Sequence, residues 1–173
     1  VTALTAPEID PLALEQQVCF ALSITNRAVL AVYRPLLEPL GLTHPQYLVM
    51  LTLWDHQKGD HQKGDHQKAS SGRHKPLSVK EIAATLQMDS ATLSPMLKRL
   101  EAIGLITRTR NVVDERSTDV NLTKGGAALR RRALEIPPAV VARLGVDMGE
   151  LQHLHQVLTR INSAALAAGA LQS

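Results

Sequence analysis

Cysteine is nearly absent from this sequence: Cys19 stands alone among 173 residues. No disulfide can close within the chain, which excludes the disulfide-stapled folds of small secreted proteins. Aromatic side chains are almost as scarce, at 2%, so Leu, Ile, Val and Ala have to fill whatever core there is. No apolar run is long enough to span a bilayer, and no secretory leader pattern is found. The expectation is a cytoplasmic protein that does not engage membranes. A strong excess of one charge is missing too. Lys and Arg number 19 against 16 Asp and Glu, a net of +3, which is a weak signal for nucleic acid unless the basic residues cluster.

They do cluster. Between Ser78 and Arg132 ten basic residues face six acidic ones, an excess of four that more than accounts for the net charge. Within that span, Leu77 to Thr123 reads LSVKEIAATLQMDSATLSPMLKRLEAIGLITRTRNVVDERSTDVNLT. Ser78 and Glu81 have the spacing of a capping box, and Val79, Ile82, Ala83 and Leu86 give the helix that follows an apolar face. The turn Gln87-Met88-Asp89 leads to a second helix with Asp89 or Ser90 as N-cap. Its inward stripe is Leu93, Met96/Leu97, Leu100 and Ile103, and Gly104 stops it. Two alternating runs, Leu105–Arg110 and Thr118–Thr123, flank a polar loop. Helix-turn-helix followed by a β-ribbon describes a winged helix, a frame that lays one helix in the DNA major groove. The expected class is mostly α (α+β): a winged helix-turn-helix with N- and C-terminal helices forming a dimerisation arm.

On the second helix Ser90, Ala91, Ser94, Pro95, Lys98 and Arg99 are left outside. Small and hydroxylated residues at its N-terminal end allow close approach to base edges, and Lys98 and Arg99 can grip phosphate or read guanine. Pro95 removes a backbone bond to Ala91 and should bend the helix. Arg110 ends the first strand. In the loop, Arg116 sits beside Asp114 and Glu115. It can enter the minor groove at the wing tip, or these charges can simply pair with one another.

The flanks divide the remainder. Residues 1–11 read as a flexible arm. Residues 12–54 carry two helices. The first, from Leu14 to about Arg34, is amphipathic and is ended or kinked by Pro35. The second opens with the capping-box form Thr43-His44-Pro45-Gln46 and is apolar nearly all round from 47 to 54, so it should be buried. Residues 55–76 hold the pentapeptide DHQKG, repeated with a final DHQKA, then SSGRHKP. This is a low-complexity insertion with no means of burying itself. His56, His61 and His66 admit a metal site, but a five-residue period does not keep them on one helix face, and a solvated loop is expected, with no metal or cofactor. Residues 77–123 are the winged helix. Residues 124–173 form C-terminal helices. One runs from a Thr123 cap to Ile136 and is broken by Pro137-Pro138. The next starts at Asp147/Glu150, with Leu151, Leu154, Leu158, Ile161, Ala165 and Ala168 as a narrow stripe. That stripe suits a partner helix or packing within one chain. The uncovered stripe of the first helix favours a dimer arm.

Several blocks carry a resemblance. QQVCFAL at 16–22, YRPLLEPLGLTHPQYL at 33–48, DSATLSPMLKRLE at 89–101 and DERS at 114–117 resemble the organic hydroperoxide resistance regulators, the OhrR branch of the MarR family. The resemblance covers nearly the whole chain except residues 56–75 and both ends. It implies a dimeric repressor of an inverted-repeat operator, not an enzyme. DNA contacts would come from Ser90 to Arg99, Thr92 included, and from Arg110 and Arg116. An organic hydroperoxide would oxidise Cys19 to a sulfenic acid, and the repressor would leave DNA. With no second cysteine in the chain, that sulfur would then condense with a small external thiol to a mixed disulfide or with a backbone nitrogen to a sulfenamide. In the family, tyrosines of the partner subunit hydrogen-bond the reactive thiolate. Tyr33 matches one of them, while Ser23 and His44 occupy the other two positions. His44 can donate a hydrogen bond or, as a cation, lower the thiol pKa. Geometry bears on the partner role independently. Tyr33 is fourteen residues beyond Cys19, about 21 Å along one helix, so the two can meet only between chains unless the helix breaks.

Other readings stay open. A lone cysteine on an apolar helix is, by general tendency, an inert core thiol. A MarR-type regulator can instead answer a phenolic or metal ligand with Cys19 silent. A one-cysteine thiol peroxidase is the alternative from another class, although such a protein would leave the winged helix without a role.

Overall fold

Leu93, Leu97 and Leu100, on one stripe of a single helix, are completely buried, and the molecule is assembled around them. The protein is described by a computed structural model covering residues 10, 12–62, 75–111, 114 and 117–170. Seven α-helices and three strands occur among these residues: α1 (Val18–Leu37), α2 (His44–Gln62), β1 (Leu77–Ser78), α3 (Val79–Leu86), α4 (Ser90–Ala102), β2 (Ile106–Arg110), β3 (Thr118–Leu122), α5 (Lys124–Ala133), α6 (Ile136–Leu144) and α7 (Met148–Ala167). The sheet is antiparallel in the order β1-β3-β2. Mostly helical, with a small sheet as the wing, this is the expected class.

The core follows the sequence pattern. Ile82 of α3, Ile106 of β2 and Val120 of β3 close on the three leucines of α4, and Val49 and Met50 of α2 complete the layer. Each such leucine contributes about 1.5–3 kcal/mol by leaving water. The capping boxes are present at Ser78/Glu81 and Asp147/Glu150. In the first turn of α2, the buried Gln46 side chain accepts a 2.9 Å bond from the N–H of Thr43, the residue before the helix. Between α3 and α4 the chain turns through Gln87, at φ 52°, a left-handed conformation that a side chain makes costly.

One junction ties the helices to the wing. Thr123 caps α5, accepting from the Gly126 N–H at 3.0 Å, while its hydroxyl donates to the Gly104 carbonyl at 2.6 Å. Gly126 packs so tightly against the start of β2 that a methyl group there would overlap the Leu105 carbonyl. From the other side, the Trp54 indole donates to the Gly126 carbonyl at 2.9 Å.

The structure departs from the sequence reading in several places. A separate 3-10 turn, Leu14–Gln16, precedes α1, which begins only at Val18 and runs through Pro35 to Leu37. Pro35 gives up its own N–H bond to the Ala31 carbonyl, but only two helical residues follow it, so little of α1 lies beyond the bend. Helix α2 continues past Asp55 to Gln62, into the repeat, because Asp-His-Gln-Lys contains no proline and a single Gly59 weakens a helix without having to end it. Ile103 is 47% exposed, since it lies beyond the last turn of α4. Pro137 and Pro138 do not break a helix running to Ile136. Helix α5 has already ended at Ala133, and the prolines sit in the first turn of α6, where a missing N–H costs nothing. Strand β1 has no signature of its own.

The two terminal helices are unfinished in a single chain. Within α1 only Leu37 is buried, and Val18, Leu22 and Ile24 are exposed. No residue of α7 is buried, and its stripe residues Leu154 and Ile161 are exposed. Among the described residues no helix is long and apolar enough to cross a membrane.

Candidate functional site

The first candidate surface is the outer face of α4. Asp89 is its N-cap, accepting from the Thr92 N–H at 2.6 Å and from the Thr92 hydroxyl at 2.8 Å. Those bonds hold the Asp89 carboxyl below the usual carboxylate range. Thr92 is therefore exposed but already committed. Ser94, half-buried, donates to the Ser90 carbonyl at 2.6 Å. Ser90, Ala91, Pro95, Lys98 and Arg99 are exposed, and Pro95 lies inside the helix without ending it. Proximity along α4 puts the small residues at its leading end and two cations behind them.

The wing adds Arg110, exposed and paired across the ladder with Thr118. No ion pair engages Lys98, Arg99 or Arg110 among the described residues. Arg116 lies outside the described residues, so neither reading of it is decided. The base of the wing is closed by a residue the sequence reading did not single out. The Asn111 amide donates to both Asp119 carboxylate oxygens at 3.0 Å, and its side-chain oxygen accepts from the Asp114 N–H at 2.9 Å. The helix and the wing are joined by an ion pair: Arg108 donates from Nε to Glu101 at 2.8 Å.

The thiol residues fall into two separate groups. Cys19 is exposed and stands in the first turn of α1, not in mid-helix, because the chain enters the helix only at Val18. Helix N-termini carry unpaired N–H groups and accommodate negative charge. Ser23 follows one turn later on the same side and is also exposed. Tyr33 and His44 are brought together elsewhere, edge to face with ring centroids 4.9 Å apart. Because α1 is unbroken from Val18 to Leu37, Cys19 and Tyr33 of one chain stay about 21 Å apart.

Tyr47 joins the second group, with its ring centroid 6.1 Å from Tyr33, and Trp54 extends it at 6.4 Å from Tyr47. His44 and Tyr47 are three residues apart at the start of α2, a spacing that puts two side chains on one helix face. That was the signal available in the sequence. Burial lowers the His44 pKa and raises those of Tyr33 and Tyr47. Within one chain, that burial disfavours the charged imidazole and leaves His44 able to donate or accept a hydrogen bond.

Two cavities lie apart from Cys19. One, about 140 Å³ and open on one side, is lined by Tyr47, Leu51, Trp54 and Leu134, with Asp55 and Arg130 among its walls. The other, about 490 Å³, separates the end of α2 from the sheet, with His56, Lys75, Thr107, Thr109, Asp119 and Asn121 among its walls. His56 donates from Nε2 to the Lys75 carbonyl at 2.9 Å, linking the two ends of the insertion. The side chains of His61 and His66 lie outside those described. Among the described residues no three metal-ligating side chains converge.

A model of the MarR family matches residues 72–118, the span from the insertion to the wing. The organic hydroperoxide resistance transcriptional regulator of Bacillus subtilis (strain 168) is 38% identical over 148 residues, 84% of this chain and 88% of its own. The solved structure of reduced AbfR bound to DNA superposes with a TM-score of 0.66 at 27% identity, covering 88% of this chain and 94% of that one. The structure of disulfide-formed AbfR gives a TM-score of 0.57 at 28% identity, with 86% and 91% covered.

Proposed function

The chain belongs to the MarR family of winged-helix DNA-binding transcription regulators, and from that premise we propose that it is a peroxide-sensing repressor, working as a homodimer whose two subunits share each sensor. The observation that carries this reading is the separation just described. An exposed Cys19 on an uncovered apolar helix and a packed Tyr33–His44 pair lie on one rigid helix-based frame, too far apart to meet in one chain. Pairing the exposed faces of α1 and α7 with those of a second copy covers Val18, Leu22, Leu154 and Ile161 and gives Cys19 a second subunit's Tyr33 and His44 as neighbours. Ser23 lines the thiol side.

The chemistry is that of a thiolate and an organic hydroperoxide. The sulfur takes the terminal hydroxyl oxygen, the O–O bond breaks, and the alkoxide leaves and is protonated to the alcohol, giving a sulfenic acid on Cys19. With no second cysteine in the chain, a small external thiol then condenses with it, losing water and leaving a mixed disulfide. The added bulk at the subunit seam biases the two α4 helices away from the spacing of successive major grooves, about 34–36 Å. On DNA, an inverted repeat meets the dimer. Ser90, Ala91, Thr92, Ser94 and Pro95 approach base edges, Lys98 and Arg99 hold the backbone or guanine, and Arg110 and Arg116 serve the wing. The organic hydroperoxide relative and the AbfR structures, reduced on DNA and disulfide-formed, support this assignment.

The test is a binding titration on a duplex selected by the reduced protein from a random-sequence pool. Cumene hydroperoxide is expected to release the wild type and to leave Cys19→Ser bound. Equal release of both, or of neither, overturns the redox mechanism. A second reading, release by a non-oxidant ligand, draws on the 490 Å³ groove, whose volume lies in the range of small-molecule sites. In that reading Cys19→Ser responds like the wild type to the ligand and peroxide does nothing.

A further inference from the structure

Glu101 is a carboxylate in a place that disfavours one. It sits in the last turn of α4, where the helix dipole presents its negative end, on the element that faces DNA phosphates. An acidic residue there weakens both the helix terminus and the approach to a polyanion unless it is compensated. The compensation is specific. One Glu101 oxygen accepts from Arg108 Nε at 2.8 Å and the other accepts from the Arg108 backbone N–H at 3.0 Å. The Arg108 bonds hold the Glu101 carboxyl below the usual carboxylate range. Neutralising a charge needs only the guanidinium. A carboxylate that also takes the main-chain N–H of the same residue fixes where the strand runs. That strand, β2, is the edge of the sheet and forms one side of the wing, and Arg108 stands across the ladder from the buried Val120.

We propose that Glu101 and Arg108 form a strut setting the angle between α4 and the wing, so that the two engage one duplex together, and that this strut determines how well the protein distinguishes its operator from other DNA. Glu101 is a positioning residue: it acts through Arg108 and the strand, without touching DNA. The inference rests on α4 and the wing as the DNA-reading surface. Specific binding needs both elements in register, whereas non-specific binding needs only positive charge near phosphate.

Glu101→Gln separates this role from that of a bystander ion pair, because the two predict opposite signs. Removing a negative charge and releasing a guanidinium beside DNA should, for a bystander, tighten binding to every sequence in parallel. For a strut, binding to the selected duplex weakens while binding to a random-sequence duplex holds or tightens. The specific-to-non-specific ratio then falls about tenfold, similar to one mismatched base pair in a recognised site. Loss of folded protein lowers the active fraction for both duplexes alike and leaves the ratio unmoved. Should Glu101→Gln not fold, Arg108→Lys keeps the charge and the main-chain donor, loses the fixed Nε contact, and is expected to lower the ratio in the same direction. An unchanged ratio in the folded variant overturns the strut. The companion measurement replaces Lys98 and Arg99 together by Ala: if this leaves the selected duplex bound as before, the surface assignment fails and the strut with it, whereas a loss there with an intact Glu101→Gln ratio rejects the strut alone.

Discussion

His44 lies edge to face against Tyr33, ring centroids 4.9 Å apart, although one belongs to the start of α2 and the other to the last third of α1. The contact joins the end of α1 to the start of α2. It also sets the protonation of the histidine, because packing withdraws the imidazole from water and lowers its pKa from the ordinary 6.5.

That shift has a defined sign. Above pH about 7 both folded and unfolded chains carry a neutral His44 and folding incurs no penalty. As pH falls through about 6.5 the unfolded chain takes up the proton first, so stability declines, and the decline ends only below the lowered folded value. Thermal midpoints measured between pH 7.5 and 5.5 should fall for the wild type and fall less for His44→Phe. Equal slopes for the two proteins would show that His44 titrates as it does in the unfolded chain.

Gly126→Ala should be severe for a residue near a helix start. The added methyl overlaps the Leu105 carbonyl and has to push α5 away from β2, stretching the bond from Trp54 to the Gly126 carbonyl. A loss of about 3 kcal/mol or more is expected, at the upper end for single substitutions, read from the denaturant midpoint. Trp54 is the only tryptophan, so its native-state emission should also shift. A midpoint within experimental error of the wild type would mean that the junction yields easily.

Lys98, Arg99 and Arg110 are exposed cations without ion-pair partners among the described residues. Where such a residue holds a phosphate, its replacement by Ala lowers the slope of log K against log salt by about 1, whatever the sequence of the duplex. Where it reads a base, the loss is about 1–3 kcal/mol and confined to the selected duplex. Titration at three salt concentrations distinguishes the two for each residue. A variant that changes neither is no contact.

The sequence was most legible where structure is local. Ser78 and Glu81, or Asp147 and Glu150, make their bonds across three residues, and both boxes are where the pattern put them. Leu93, Leu97 and Leu100 declared the buried stripe of α4 by period alone. What could not be read depends on partners distant in the chain. Strand β1 is two residues long and exists because Leu77 finds Val120. Glu101 and Arg108 are separated by the turn at Gly104, so no helical or strand period links them. Pro137-Pro138 opens α6 instead of ending α5, because proline is compatible with a first turn and incompatible with a later one, and the sequence does not say which turn is which. For the proposed thiol site the blocks name Cys19, Tyr33, His44 and Ser23 as candidates, whereas Tyr47 reads only as core. Its companionship with Tyr33 needs α1 and α2 to cross.

An unbroken α1 has an arithmetical consequence for mixed populations of subunits. If each sensor draws its sulfur from one chain and its phenol from the other, a chain lacking the first and a chain lacking the second are each inert when paired with their own kind. Combined, they reconstitute one whole sensor per heterodimer and one doubly defective one, so complementation between two dead alleles is built into the length of a single straight rod.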